Sequence, residues 1–384
     1  MENFSFYNPV KILFGKGQIA NIASEIPADA KILVTYGGGS IKKNGVYEQV
    51  ISALAGKTFL EFGGIEANPH LETLLKAVEL IRKEGIDFIL AVGGGSVVDG
   101  TKFIAAAVPF EGDPWDILAK QVPLKAAVPF GAVLTLPATG SEMNTNSVVT
   151  KAATQEKLFF ASPLVFPKFS VLDPETTFSL PLRQVSNGIV DAYTHVMEQY
   201  LTYPVNAPLQ DRMAESILLT LIEEGPKTLA NLHDYQARAN VMWCATMALN
   251  GLIGVGVPQD WATHMIGHEL TALHGLDHAQ TLAVVLPNTL TIQRDRKREK
   301  LLQYAARVWN LVDGDEEMRI DRAIAKTRDF FESVGVRTKL SDYGVGLDTI
   351  APIIDRFEKR GFTALGEHRD VTPKVVEQIL TLCA

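Results

Sequence analysis

Three times in the N-terminal part of this chain, a short apolar run breaks off in a turn of small residues. Lys31–Thr35 (KILVT) runs into Tyr36-Gly37-Gly38-Gly39-Ser40, and Phe88–Val92 (FILAV) into Gly93-Gly94-Gly95-Ser96. Ala132–Leu136 (AVLTL) runs into Pro137-Ala138-Thr139-Gly140-Ser141. Runs that are apolar on both alternating faces belong to strands covered on both sides, as in a parallel sheet between helical layers. Helical patterns over Val46–Ala55, Leu71–Glu84 and Val97–Ala107 supply those layers. In the second of these, Leu74, Leu75, Val78 and Ile81 share one face. Val10–Phe14, Thr58–Phe62 and Phe169–Leu172 add strands. From Leu182 onward strand-like runs become rare and helical periodicity takes over, with Asp173-Pro174 and Leu180-Pro181 as boundary marks. The reading is an α/β domain with a parallel sheet over 1–180 and an all-α domain over 181–384.

The bulk numbers exclude several function classes. A chain of 384 residues with 47% hydrophobic and 21% charged residues builds an ordinary globular core. Its net charge of −8 argues against general nucleic-acid binding and against an anionic membrane surface. No apolar run reaches the roughly 18 residues of a membrane span, and the N-terminus has no apolar leader pattern. Two cysteines, Cys244 and Cys383, form no disulfide framework and suit a reducing compartment. These features predict a cytoplasmic protein.

Ligands of open parallel sheets bind beyond the carboxyl ends of the strands, where the three turns fall. At Gly93-Gly94-Gly95-Ser96 the backbone can approach a ligand closely, and the helix that follows aims its free N–H groups at it. A diphosphate suits that place; a tight turn with Ser96 as helix cap is the alternative. The Gly-x-Gly-x-x-Gly spacing of the usual dinucleotide fingerprint is absent. NAD sites usually carry an acidic residue near the end of the second strand. Here Gly37, Gly38, Gly39 and Ser40 follow instead, with Lys42 and Lys43 next and no carboxylate before Glu48. Glycine amides, a hydroxyl and nearby lysines suit a 2′-phosphate, so NADP(H) is expected rather than NAD; an incidental glycine-rich loop is the alternative.

The second half carries its own signal. In Val185–Thr202, Asp191 and His195 stand four residues apart on one helix face among apolar residues. Read alone, the pair fits a salt bridge or a core hydrogen bond more readily than half a metal site. Four further histidines, His264, His268, His274 and His278, crowd into the fifteen positions of one later stretch. Buried imidazoles without partners are costly, which brings the metal reading level with the other.

Taken together, these motifs resemble the iron-containing alcohol dehydrogenases. The likeness covers essentially the whole chain: ILFGKG, AVGGGSVVDGTK, TLPATGSE, the Asp191/His195 helix and HMIGHELTALHGLDHAQTLAVVLP. The YGGGS turn is shared with the bacterial NADPH-dependent aldehyde reductase and butanol dehydrogenase-like branch. The resemblance implies a dehydroquinate synthase-like architecture, with an N-terminal dinucleotide-binding domain, a helical C-terminal domain and a divalent metal in the cleft between them. It implies Asp191, His195, His264 and His278 as metal ligands, for Fe²⁺ or Zn²⁺, and places His268 near nicotinamide and substrate. His274 falls outside the ligand positions. Gly94, Gly95, Ser96 and Asp99 match the diphosphate turn, Thr135, Thr139 and Asn144 the neighbouring loop, and Asn68 and Lys157 further nucleotide contacts. Ala279 departs from the glycine that many relatives have after the last ligand.

The activity so implied is hydride transfer between nicotinamide C4 and short to medium aldehydes or primary alcohols, with His268, a ribose hydroxyl or a water chain passing the proton. Relatives are often dimers, and the strand at Val10–Phe14 is free to pair with a second chain, so a homo-oligomer is expected. An NAD-linked polyol dehydrogenase and a dehydroquinate synthase-like cyclase are the rival enzymes; the first is opposed by the glycine turn. The second needs lysines and arginines for a phosphate-bearing substrate, and besides histidines only Arg183, Arg212, Lys227 and Arg238 lie between Pro181 and Leu290. A metal-bearing structural protein is the non-enzymatic rival.

Overall fold

A computed structural model describes all residues from Met1 to Ala384. The chain forms two compact units. One holds Tyr7–Leu180 with Leu232–Thr246, the other Pro181–Asn231 and Met247–Ala384 with Met1–Phe6.

The first unit is built on β1 (Lys11–Phe14), β2 (Lys31–Tyr36), β3 (Thr58–Phe62), β4 (Phe88–Gly94), β5 (Phe130–Leu136), β6 (Asn146–Lys151), β7 (Glu156–Ala161) and β8 (Phe169–Leu172). Its helices are α1 (Ile22–Glu25), α2 (Val46–Ala53), α3 (Leu71–Glu84), α4 (Gly95–Ala107) and α5 (Asp116–Ala119). Six strands make one sheet in the order β1-β8-β5-β4-β2-β3, and every pairing in it is parallel. Successive strand side chains point to opposite faces, and the core divides accordingly. Leu33, Ile89 and Ala91 pack with α3 and α4 on one face; Ile32, Val34, Leu90 and Val92 pack with α1 and α2 on the other. The helix after β2 and the helix after β4 thus lie on opposite faces of two adjacent strands. That is a topological switch point, and both triple-glycine turns stand at its carboxyl-end rim.

The antiparallel hairpin β6–β7 is an element the sequence reading left out. Its strands are short and half exposed, and its turn uses no glycine: Gln155 takes the left-handed conformation, φ 52°.

The second unit contains α6 (Leu182–Tyr200), α7 (Pro208–Ala230), α9 (Ala262–His274), α10 (His278–Ile292), α11 (Arg298–Arg307), α12 (Glu316–Ser333), α13 (Ile350–Lys359) and α14 (Pro373–Leu382). The remaining helix, α8 (Tyr235–Ala248), belongs mostly to the sheet unit, where Met242 packs on Leu134 and Leu172. In the helical unit α6 is central: every residue from Val185 to Tyr200 is buried. Its polar members, Asn187, Asp191, His195 and Glu198 among them, are therefore withdrawn from water and need specific partners. No helix is long and apolar enough to cross a membrane. The parallel sheet and the helical C-terminal part both match the architecture expected from the sequence.

Candidate metal centre and nucleotide turns

Three helices of one unit bring their side chains to a single carboxylate oxygen. Asp191 Oδ1 lies 3.6 Å from His195 Nδ1, 3.9 Å from His264 Nε2 and 3.8 Å from His278 Nε2. Asp191 and His195 come from successive turns of α6, His264 from the first turn of α9, and His278 is the first residue of α10. Donor atoms of Asp191, His195 and His264 lie within 4.8 Å of one another. The fourth, His278, joins them through the same Asp191 oxygen. A tetrahedral ion with ligands at about 2.1 Å has ligand–ligand edges of about 3.4 Å, and these separations are close to that. His274 faces elsewhere, with Nε2 2.7 Å from Thr349 Oγ1.

The chemistry of these groups fits a metal better than a salt bridge. His195 Nδ1 is buried without a hydrogen bond. Burial pushes this imidazole down to about 4, against the opposing pull of Asp191, so His195 is neutral and presents a lone pair. Neutral imidazoles with one carboxylate form a common donor set for Zn²⁺ and Fe²⁺. The two His-bearing helices are anchored independently. Asp277 and Gln280 form a capping box at the start of α10, and Asn187 Nδ2 on α6 donates to Asp277 Oδ2 at 2.7 Å. At α9, Ala262 N–H donates to Asp260 Oδ1 at 3.0 Å and Thr263 N–H to Glu198 Oε1 at 2.7 Å. Asp260 is held by the buried ammonium of Lys297. His268, one turn beyond His264, is 8% exposed. Its ring centroid lies 5.3 Å from that of His278 and 6.4 Å from that of His264.

On the sheet unit, α4 begins at Gly95 and no side chain caps it, so the alternative with Ser96 as cap does not hold and its first N–H groups remain for a ligand. Packing alone requires glycine here. A Cβ on Gly93 would come within 2.5 Å of Val97, on Gly94 within 2.9 Å of Leu136, and on Gly95 within 2.4 Å of Thr139 Oγ1. Ser96 Oγ accepts the Asn68 N–H at 3.2 Å, and Lys157 Nζ donates to Asn68 Oδ1 at 2.9 Å. Three expected contact residues from distant segments are thereby assembled beside the turn. Both oxygens of Asp99 are engaged, by Ser141 Oγ at 2.5 Å and Val148 N–H at 3.0 Å; its carboxylate ties α4 to the following loop and to β6. Asn144 is braced in that loop, accepting from Lys102 Nζ at 2.9 Å and donating to the Thr139 carbonyl at 3.3 Å. Thr135 stands near the carboxyl end of β5, half-buried.

The Gly37–Ser40 turn is different. A Cβ on Gly38 or Gly39 would meet nothing within 4 Å, and only Gly39, at φ 89°, needs glycine for its backbone. The turn is an open cradle. Lys42 Nζ donates to Glu61 Oε2 at 2.9 Å and lies over the rings of Tyr36 and Tyr47.

Sequence reasoning missed several of these partners. Glu61 arrives beside the second-strand turn from the neighbouring strand β3, which no scan for the next carboxylate along the chain can find. Glu198 and Lys102 lie inside periodic helices, at positions that pattern alone assigns to surface or core. Trp261, just before α9, holds a left-handed backbone at φ 66° and packs its ring 5.3 Å from His264 and 6.2 Å from His195. A bulky residue in that conformation costs on the order of 1–3 kcal/mol.

Comparison with known proteins completes the assignment. The profile of the iron-containing alcohol dehydrogenases matches residues 9–174, and that of the Fe-containing alcohol dehydrogenase family, C-terminal, matches residues 185–382. The chain belongs to the iron-containing alcohol dehydrogenase family, a family of oxidoreductases. It is 59% identical to the NADPH-dependent aldehyde reductase YqhD of Escherichia coli over 99% of each chain. It is 42% identical to a probable NADH-dependent butanol dehydrogenase of Bacillus subtilis, again over 99% of each. Among solved structures, Escherichia coli YqhD matches with a TM-score of 0.99 at 57% identity, covering 100% of this chain and 99% of that one. The NADH-dependent butanol dehydrogenase A of Thermotoga maritima matches at 0.96 and 37% identity, with 100% and 99% covered. The resemblance read from the motifs holds.

Proposed function

We propose that this chain is a divalent-metal-dependent, NADP(H)-linked aldehyde reductase that also runs as an alcohol dehydrogenase, on short to medium aldehydes and primary alcohols. The observation that carries the proposal is the meeting of His195, His264 and His278 on one buried oxygen of Asp191. These four residues would hold the metal, Fe²⁺ or Zn²⁺. A metal bound there supplies Lewis-acid polarisation of a carbonyl oxygen. The protein's own residues do the rest. The uncapped start of α4, with Gly94, Gly95 and Ser96, offers N–H groups to a diphosphate. Asn68 and Lys157 flank that turn; Thr135, Thr139, Asn144 and Asp99 form or brace the loop beside it. His268, beside two of the ligands, is the side chain suited to pass a proton to the nascent alkoxide.

The NADP(H) reading rests on the open Gly37–Ser40 cradle and on the NADPH-dependent relative at 59% identity. The NADH-dependent relatives are evidence that the same family serves either nucleotide, and Glu61 is the feature that favours an NAD-linked enzyme. Its oxygens are already occupied, however, by Tyr36, Tyr47 and Lys42. A homo-oligomer is supported by β1, which ends the sheet and pairs only with β8, and by the half-exposed Phe14 and Trp243 rings that meet edge to face beside it. Two buried cysteines outside any disulfide support a reducing, cytoplasmic setting.

The test is oxidation of NADPH and of NADH with butanal, on metal-stripped protein and after separate return of Zn²⁺ or Fe²⁺. Metal-restored turnover with NADPH favoured by at least tenfold is expected. Full turnover without metal would defeat the metal reading, and a tenfold preference for NADH the nucleotide reading.

A further inference from the structure

We infer that Glu198 is a positioning residue for the metal centre: one of its oxygens fixes the tautomer and the rotation of the His264 ring, and so sets how tightly the site holds its ion. The inference rests on the metal reading above and adds to it a residue outside the ligand set. Glu198 stands on α6 three residues after His195, so the helix that supplies two ligands also supplies the group that orients a third. Its side chain is 1% exposed.

The two carboxylate oxygens have different partners. Oε1 accepts the Thr263 N–H at 2.7 Å. That bond is an ordinary helix cap from outside, and α9 needs one, because Trp261 at its N-cap position offers no side-chain acceptor. Oε2 is hydrogen-bonded to the His264 ring at Nδ1, and the His264 backbone N–H also donates to this carboxylate. A buried carboxylate is costly, and Asp260 lies close enough to raise that cost further. A cap needs only backbone N–H donors and no charge. The bond from Oε2 to the ring of His264 is what a capping role leaves unexplained.

The consequence for His264 follows from Glu198 Oε2 accepting in that bond. An Nδ1–H donated to Glu198 leaves the lone pair on Nε2, the atom that points to Asp191 Oδ1. The opposite tautomer would direct an N–H into the centre and could not ligate. A carboxylate partner also raises the basicity of the imidazole, and such partners typically account for 10–100-fold in metal affinity.

Glu198→Gln separates the two tasks. A carboxamide has one oxygen: if it accepts from Thr263, its NH₂ faces His264 Nδ1 and favours the wrong tautomer. The full-length apoprotein and the variant are titrated with Zn²⁺ against a chromophoric chelator, and with Co²⁺ for the visible spectrum. The expected result is a 10–100-fold weaker Zn²⁺ affinity and an altered Co²⁺ spectrum, with the thermal shift induced by NADPH retained. A variant with lowered apoprotein melting temperature but Zn²⁺ affinity within twofold of wild type would leave Glu198 as a cap only and overturn the inference. If wild type itself binds no stoichiometric metal, the metal reading fails first, and the inference with it. Should the Gln variant not fold, ¹⁵N-histidine NMR of the wild-type apoprotein decides. His264 protonated on Nδ1 supports the inference, and protonation on Nε2 alone overturns it.

Discussion

Two adjacent lysine and arginine residues should respond in opposite ways to the same substitution. Lys297 closes the helical unit from within: its side chain is 2% exposed, and its ammonium lies 2.9 Å from Asp260 Oδ2, 2.6 Å from Glu367 Oε1 and 2.7 Å from the Leu201 carbonyl. The two carboxylates are 5% and 4% exposed. Lys297→Met keeps most of the aliphatic stem but leaves two buried carboxylates facing each other without a cation. Removing one partner from a buried ion pair costs about 3–5 kcal/mol, and here two partners are stranded. Arg298 makes as many ion pairs, to Glu316 and Glu317, but is 37% exposed and its partners are 57% and 55% exposed. Exposed pairs contribute about 0–1 kcal/mol, so Arg298→Met should be nearly silent. Urea unfolding of the metal-free proteins, followed by far-UV circular dichroism, measures both. Because Asp260 also caps α9, the Lys297 variant should in addition lose Zn²⁺ faster to excess chelator. A Lys297→Met protein within about 1 kcal/mol of wild type, or an Arg298→Met protein equally damaged, would refute the argument from burial.

Burial pushes the Lys102 ammonium down to about 8, against the opposing pull of Asp99 and Glu142. Between that value and the usual 10.5 the unfolded chain binds the proton more tightly, so stability should rise with pH across this window. Wild type should gain about 2 kcal/mol relative to Lys102→Met between pH 7.5 and pH 10 in urea titrations; no change in the difference would contradict the assignment. Gly38→Asp, placed in open space, should keep the melting temperature but raise the KM for NADPH at least tenfold while sparing NADH. Gly95→Ala, whose methyl meets Thr139, should instead cost about 1–3 kcal/mol of stability, read by thermal unfolding. His268→Ala should lower kcat and alter its pH profile with bound metal unchanged; unaltered turnover would remove the residue from the proton path.

The elements that sequence could reveal were those whose signal is local. FILAV followed by glycines reads as a buried strand entering a helix, and Thr58–Phe62 and Leu71–Glu84 fall where the local pattern puts them. Asp191 and His195 were visible for the same reason, as neighbours on one helix turn. What stayed hidden depends on adjacency across the fold. Glu61 reaches the second turn because β3 lies beside β2, Glu198 meets His264 because α9 starts beside α6, and Lys297 finds Asp260 and Glu367 from separate segments. The hairpin β6–β7 was missed on other grounds: its half-exposed strands and glycine-free turn lack the markers by which short strands are recognised.

The donor set around Asp191 lies wholly within the helical unit, whereas the Gly37–Ser40 cradle lies wholly within the sheet unit. Each can therefore change without the other. A few exchanges in one open turn could move such a chain from one reduced nucleotide pool to another, leaving the ion and its helices untouched. The coexistence of NADPH- and NADH-named relatives on one shared fold is the record such independence would leave over evolutionary time.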